Sequence, residues 1–128
     1  MKSLLTLLTF LFVSPSFGQN ALSIEDKKEL PPNGVYKYDM AFAEWGGKSM
    51  GVKLEVIIKG DSIKVIYKSG SLSMTKVGDI LSEGVLRKHK SGQWIISTDD
   101  EDVNSEEIGG CSGGPTLIDF KTKQYWTC

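Results

Sequence analysis

Residues 52–67, Val-Lys-Leu-Glu-Val-Ile-Ile-Lys-Gly-Asp-Ser-Ile-Lys-Val-Ile-Tyr, decide the fold. Val52, Leu54, Val56 and Ile58 recur at every second position, with Lys53, Glu55 and Lys59 between them, and after Gly60-Asp61 the alternation resumes at Ile63, Val65 and Tyr67. A period of two with β-branched residues is the pattern of a half-buried strand. A two-residue glycine-containing break matches the twist of paired strands, so the stretch predicts a β-hairpin.

The same pattern extends in both directions. Upstream, residues 35–42 place Tyr36, Tyr38, Met40 and Phe42 on one face of a first strand. Downstream, Ser69-Gly70-Ser71 predicts a reversal into a strand carrying Leu72 and Met74. Residues 80–89 and 93–97 pair across Ser91-Gly92, and residues 115–120 and 124–128 pair through Lys121-Thr122-Lys123. The expected fold is therefore all-β: seven or eight short antiparallel strands in meander order. No long helical period separates them, which excludes a parallel βαβ architecture. Each strand is followed by a tight turn and its neighbour, which favours a small antiparallel β-barrel, with a β-sandwich as the alternative. Residues 34–128 are expected to form this single β domain. Before them, residues 19–33 form either a short helix capped by Ser23 and running to Glu29, or a loose N-terminal arm ending at Pro31-Pro32-Asn33-Gly34.

At the N-terminus Lys2 precedes an apolar run over residues 4–13, and Ser16 and Gly18 stand at the −3 and −1 positions of a cleavage site. Residues 1–18 read as a secretory signal peptide cut before Gln19. No cysteine lies near the cut, so a lipid anchor is not expected. The product is a soluble secreted or periplasmic protein of about 110 residues, enough for one core. The chain's two cysteines, Cys111 and Cys128, both fall in the exported part and are expected to form one disulfide. Of the 128 residues 40% are apolar and 24% charged, an ordinary globular balance, and the net charge of −1 excludes a nucleic-acid footprint.

Several motifs point to chemistry. Gly110-Cys111-Ser112-Gly113-Gly114-Pro115 resembles the Gly-Asp-Ser-Gly-Gly-Pro stretch around the nucleophile of chymotrypsin-like serine proteases, with Cys111 in place of the aspartate. The resemblance implies a nucleophilic Ser112, with His89 and one of Asp99, Asp100 or Asp102 as partners. That family assembles its triad between two barrels, and one small sheet leaves no such cleft, so Ser112 is expected to belong to a glycine loop that brings Cys111 to its bridge. Cys-Ser-Gly-Gly is also similar to a structural disulfide segment of papain-like proteases. His89, the single histidine, lies among Arg87, Lys88 and Lys90 and is expected at the surface. Gly46-Gly47-Lys48-Ser49 is similar to the end of a phosphate loop, but its opening glycine would fall at Phe42.

Residues 99–107 hold six acids in nine positions. Asp100, Asp102 and Asn104 fit the first places of an EF-hand loop, yet Ser105 and Cys111 stand where glycine and glutamate are required. A solvated acidic loop is the expected role, with a looser calcium site or a face for a basic partner as alternatives. Trp94 and Trp126 lie in strand patterns and are expected in the core; Trp45 lies in a loop between Glu44 and Gly46-Gly47, where an exposed indole is a contact residue.

Together these readings predict an exported binding module that is not an enzyme and carries no cofactor or metal. A protein partner in the cell envelope, of inhibitor or immunity type, would meet it through Trp45, Asp99, Asp100, Asp102, Glu106 and Glu107. The alternative is a carrier or sensor of a small apolar ligand. Gly34-Val35-Tyr36 resembles the Gly-x-Trp opening of lipocalins, which implies a ligand cavity lined by Tyr36, Tyr38, Met40 and Phe42.

Overall fold

The computed structural model describes residues 22–128; the signal-peptide reading and the start of the N-terminal arm lie outside them. Ser23 caps the short helix α1 (Ile24–Glu29) by accepting a hydrogen bond from the Asp26 N–H at 3.1 Å, so the helix is formed rather than a loose arm. Seven strands follow: β1 (Gly34–Phe42), β2 (Lys53–Lys59), β3 (Ser62–Ser69), β4 (Ile80–Lys88), β5 (Trp94–Ser97), β6 (Thr116–Asp119) and β7 (Gln124–Thr127). Each pairs with the next, and β1 pairs with β7 to close a barrel.

Closure corrects one expectation. The six sequential pairs are antiparallel, but β1 and β7 are parallel, with Met40 opposite Tyr125 and Ala41 opposite Trp126. This follows from the strand count: in a meander each strand reverses the last, so the first and seventh run the same way. The expected strand through Leu72 and Met74 is a loop instead, which leaves seven strands rather than eight. Met74 is fully exposed with a left-handed φ of 57°, a conformation that no strand accommodates.

The hairpin over β2 and β3 forms in the expected register, Val56 opposite Val65 and Lys59 opposite Ser62 across Gly60-Asp61. Its inward residues Leu54, Val56, Ile58, Ile63, Val65 and Tyr67 are buried, and they meet Tyr38, Met40, Leu86, Trp94, Ile96, Ile118 and Tyr125 in one core. A barrel of this size has an interior that side chains can fill. β5 is buried on both faces: Trp94 and Ile96 point inward, and Ile95 and Ser97 are also covered. It therefore reads as a continuous apolar run. At Gly84 a Cβ would lie 2.5 Å from the Ser97 carbonyl oxygen, so glycine is what lets β4 and β5 approach there.

α1 lies against the start of β5. Glu29 accepts hydrogen bonds from Lys88 Nζ at 2.5 Å and from Trp94 Nε1 at 3.1 Å, while Lys88 also stands 5.7 Å from the Trp94 ring centroid. Leu22 and Leu30 pack on the core beside it. The Cys111–Cys128 disulfide is formed and ties the β5–β6 connection to the last residue of the chain.

Candidate binding surface

Strand alternation sorts the connections by end. The β1–β2, β3–β4 and β5–β6 connections, residues 43–52, 70–79 and 98–115, all leave from one end of the barrel. α1 and the tight β2–β3, β4–β5 and β6–β7 turns lie at the other. Exposed large apolar residues follow the same division. Trp45, Met50, Met74, Val77 and Ile80 lie at the loop end, whereas Ile24 and Val35 lie at the turn end.

Local structure holds these side chains out. A 3-10 turn at Ala43–Trp45 ends in Gly46 with a left-handed φ of 68°, leaving Trp45 56% exposed. The next residue, Gly47, sits so close over Trp126 that a Cβ would lie 2.8 Å from the ring. Trp126 is consequently half-buried beneath this turn, on the outside of the barrel. It does not belong to the core cluster as its strand pattern suggested, because its neighbour Tyr125 takes the inward position. Met50 has a left-handed φ of 53°, and its side chain, like that of Met74, stands in solvent. The two loops touch where they leave β2 and β3: a Cβ on Gly70 would meet the Gly51 carbonyl oxygen at 2.6 Å.

The acidic segment lies elsewhere and is largely used by the fold. It turns back along the outer face of β4 and β5 as a 3-10 segment, Asp100–Asn104, with Asp99 and Asp102 forming a reciprocal capping box. Asp102 Oδ2 accepts from the N–H of Thr98 at 2.9 Å, the N–H of Asp99 at 3.1 Å and the Ser97 hydroxyl at 3.3 Å. Asp99 Oδ1 accepts from the Glu101 N–H. Two of the expected partner-binding carboxylates thus hold their own loop, whereas Asp100, Glu106 and Glu107 are exposed, Glu106 within 3.4 Å of Lys90. The later Gly109-Gly110 bend reaches the Trp45 turn, since a Cβ on Gly110 would lie 2.9 Å from Ala43 Cβ.

His89 overturns the surface expectation: it is 5% exposed. Its Nδ1 accepts the Ser91 N–H at 3.1 Å, which leaves the proton on Nε2 to be donated to the Ser105 carbonyl at 2.7 Å. The imidazole therefore ties the β4–β5 turn to the acidic segment, helped by the Lys90 N–H donating to the Val103 carbonyl at 2.9 Å. Of the basic neighbours that suggested a solvated position, Lys88 turns to Glu29 and Lys90 to Glu106, and the loop that covers the ring comes later in the sequence, at Ser105. Ser112 uses its hydroxyl inside the glycine loop, donating to the Gly109 carbonyl at 2.7 Å and accepting from the Gly114 N–H at 3.1 Å. His89 and Ser112 are not hydrogen-bonded to each other.

The four residues read as a cavity wall divide along β1. Tyr38 and Met40 are buried among the core side chains, and Tyr36 and Phe42 are partly buried against them. Burial pushes the Tyr38 hydroxyl up to about 12 and raises that of Tyr125, which shares a 2.6 Å hydrogen bond with Ser82. At the turn end, hydrogen bonding to Lys88 holds the Glu29 carboxyl below its ordinary range, and Glu29 in turn raises Lys88. Among the described residues no three His, Cys, Asp or Glu side chains converge on a metal-sized site.

Sequence reasoning found Trp45 but missed Met50, Met74, Val77 and Ile80. The signal for Met50, Met74 and Val77 was apolar residues placed in glycine- and serine-rich loops, whereas Ile80 opens β4 and gave no such signal. No protein-family model, curated protein or solved structure matches the chain.

Proposed function

We propose that this chain is a secreted or periplasmic binding domain without catalytic apparatus, and that it engages a protein partner of the cell envelope, as an inhibitor or immunity protein does. The contact would be made through the loop end of its barrel. The observation that carries this reading is the gathering of Trp45, Met50, Met74, Val77 and Ile80 at that end, exposed and apolar. Interface cores are enriched in Trp and Met, and adaptable methionines recur on binding surfaces. Met50 and Met74 each hold a left-handed backbone, costing on the order of 1 kcal/mol, while Met74 is fully exposed and Met50 mostly so.

The charges around them are balanced, Glu44 with Lys48 on one loop and Lys76 with Asp79 on the other. That is not the polybasic surface that anionic lipid attracts. The carrier alternative needs an interior space, and Tyr38, Met40 and their neighbours occupy the interior. Export is supported by the Cys111–Cys128 bridge and by the signal-like start of the sequence.

The test uses the full chain with a photoreactive phenylalanine analogue at position 45 or 74, and at position 35 as the opposite-end control. After irradiation in the exporting cell, the cross-linked protein is identified by mass, purified, and titrated with the unmodified chain. Cross-links confined to the loop end, and affinity lowered at least about tenfold in Trp45→Ser, support the reading. Equal cross-linking from Val35, or an unchanged affinity, overturns it.

A further inference from the structure

The seam between β4 and β6 is filled over only part of its length. β5 pairs with β4 from Lys88↔Trp94 to Val85↔Ser97, then the chain leaves the sheet, whereas β4 continues toward the loop end to Ile80. On the far side, β6 pairs with β5 at Ile95↔Leu117 and Ile96↔Thr116, and residues 113–115 run on ahead of it. Beyond Ser97 no described residue pairs between β4 and the chain ahead of β6, which leaves a slot bordered by Thr98, Asp102 and Ser105. A groove of about 560 Å³ lies there, with Leu81, Ser82 and Glu83 on one wall and Gly113, Pro115 and Thr116 on the other.

The slot's chemistry is specific. The His89 N–H bonds across to Gln93 and the Leu86 N–H bonds the other way to Asp61, so alternation turns the Glu83 N–H and C=O toward the slot. Among the described residues no bond to that edge of Glu83 is made, and the register shift opposite Val65/Ile66 ends regular pairing just beyond it. Glu83 and Asp102 are the charged residues of the lining, and Asp99 and Asp100 line the adjoining groove over Gly84, Val85 and Arg87. Lys64, 3.6 Å from Glu83, approaches from the β3 side and is itself exposed. Unpaired main-chain groups beside the Glu83 and Asp102 carboxylates in an open groove fit one kind of occupant.

We infer that the slot accepts an extended basic segment of a protein partner, added as a strand beside β4 where β5 stops short. The added strand pairs with the Glu83 backbone, its apolar side chains lie on Leu81, Ile96 and Pro115, and its lysines or arginines face Glu83 and the acidic segment. The slot opens toward the loop end, where Val77 and Ile80 stand, so a partner held there presents its segment to it. The inference rests on the reading of the chain as a protein-binding domain and names the element of the partner that is recognised.

The probe is a synthetic peptide, acetyl-Lys-Val-Lys-Val-Lys-Val-Lys-amide, titrated into the oxidised full chain and followed by amide NMR and by hydrogen exchange. Saturable binding is expected, with the Glu83 amide protected from exchange. Affinity should fall at least about tenfold when alternate peptide nitrogens are methylated, when Glu replaces Lys in the peptide, or at high salt. Glu83→Lys should weaken binding while leaving thermal unfolding near that of the parent, and Ile24→Ser, at the exposed turn end, should leave peptide binding unchanged. No binding, equal binding of the methylated or the acidic peptide, or perturbations away from residues 81–84 and 113–116 overturns the inference. If the peptide fails while cross-linking at position 45 persists, the slot proposal alone falls; if both fail, the binding-domain reading falls with it.

Discussion

The barrel has two unlike halves. β1 to β4 run nine, seven, eight and nine residues, and they hold together by long ladders, with one register shift each in β2–β3 and β3–β4, and by alternating side chains. β5 to β7 run four residues each. Four-residue strands make few cross-strand pairs, and the short half is stabilised by other means: the Cys111–Cys128 bridge, the Asp99–Asp102 capping box and the buried His89 that links two loops. The long half illustrates a sheet stabilised by pattern. In the short half, crosslinks and side chain–backbone bonds substitute for pattern, and that leaves a part of the seam open.

Mutations should separate the halves by the mechanism that each one loses. Leu54→Ala, deleting a fully buried side chain in the long half, should have the largest effect, about 3–5 kcal/mol in denaturant unfolding. A loss under about 1 kcal/mol would mean that the long half is not tightly packed. Replacing both cysteines with serine should cost about 3 kcal/mol through the freed connection. The folded chain should nonetheless keep the near-ultraviolet signal of its core tyrosines, and loss of that signal would show that the short half cannot be loosened by itself.

Alkaline pH is a third comparison. Tyr38 has a folded pKa of about 12 against about 10 unfolded, and the pKa of Tyr125 moves in the same direction. The unfolded chain therefore loses these protons first. Stability is complete below about pH 10 and falls as pH rises toward 12, by about 1–3 kcal/mol for Tyr38. Tyr38→Phe should flatten most of that slope in a pH series of melts; an unchanged slope would place its origin elsewhere. Smallest is Asp102→Ala, expected to cost about 1–2 kcal/mol by removing the acceptor shared by Ser97, Thr98 and Asp99. Added to the double serine variant, it should cost more than by itself if bridge and cap support the same loop, and equal costs would show the two to be independent.

The long half was legible in the sequence because its information is local. The alternation at Val52, Leu54, Val56 and Ile58 gives both the strand and the face that is buried. The disulfide was legible from the cysteine count and the signal-like start of the sequence. What escaped depends on residues distant in the chain. His89 is buried by residues 103–105, Ile95 is covered on its outer face, and Trp126 loses the core to Tyr125 by one position of register. The loop in place of a strand at Leu72 and Met74 was misread because apolar residues at alternate positions signal a strand only when both lie against a core. On the candidate surface, Trp45 was legible as a loop indole, but the other four residues join it through strand direction, which sets which loops share an end.

Residue-resolved hydrogen exchange of the oxidised chain, repeated after reduction of the bridge, tests the two-halves account most directly. The amides of Val56 and Val65 should exchange only through global unfolding in both states, whereas those of Ile96, Leu117 and Tyr125 should exchange through a smaller opening that reduction makes markedly faster. One common exchange free energy across all seven strands, unaltered in pattern by reduction, would contradict the account.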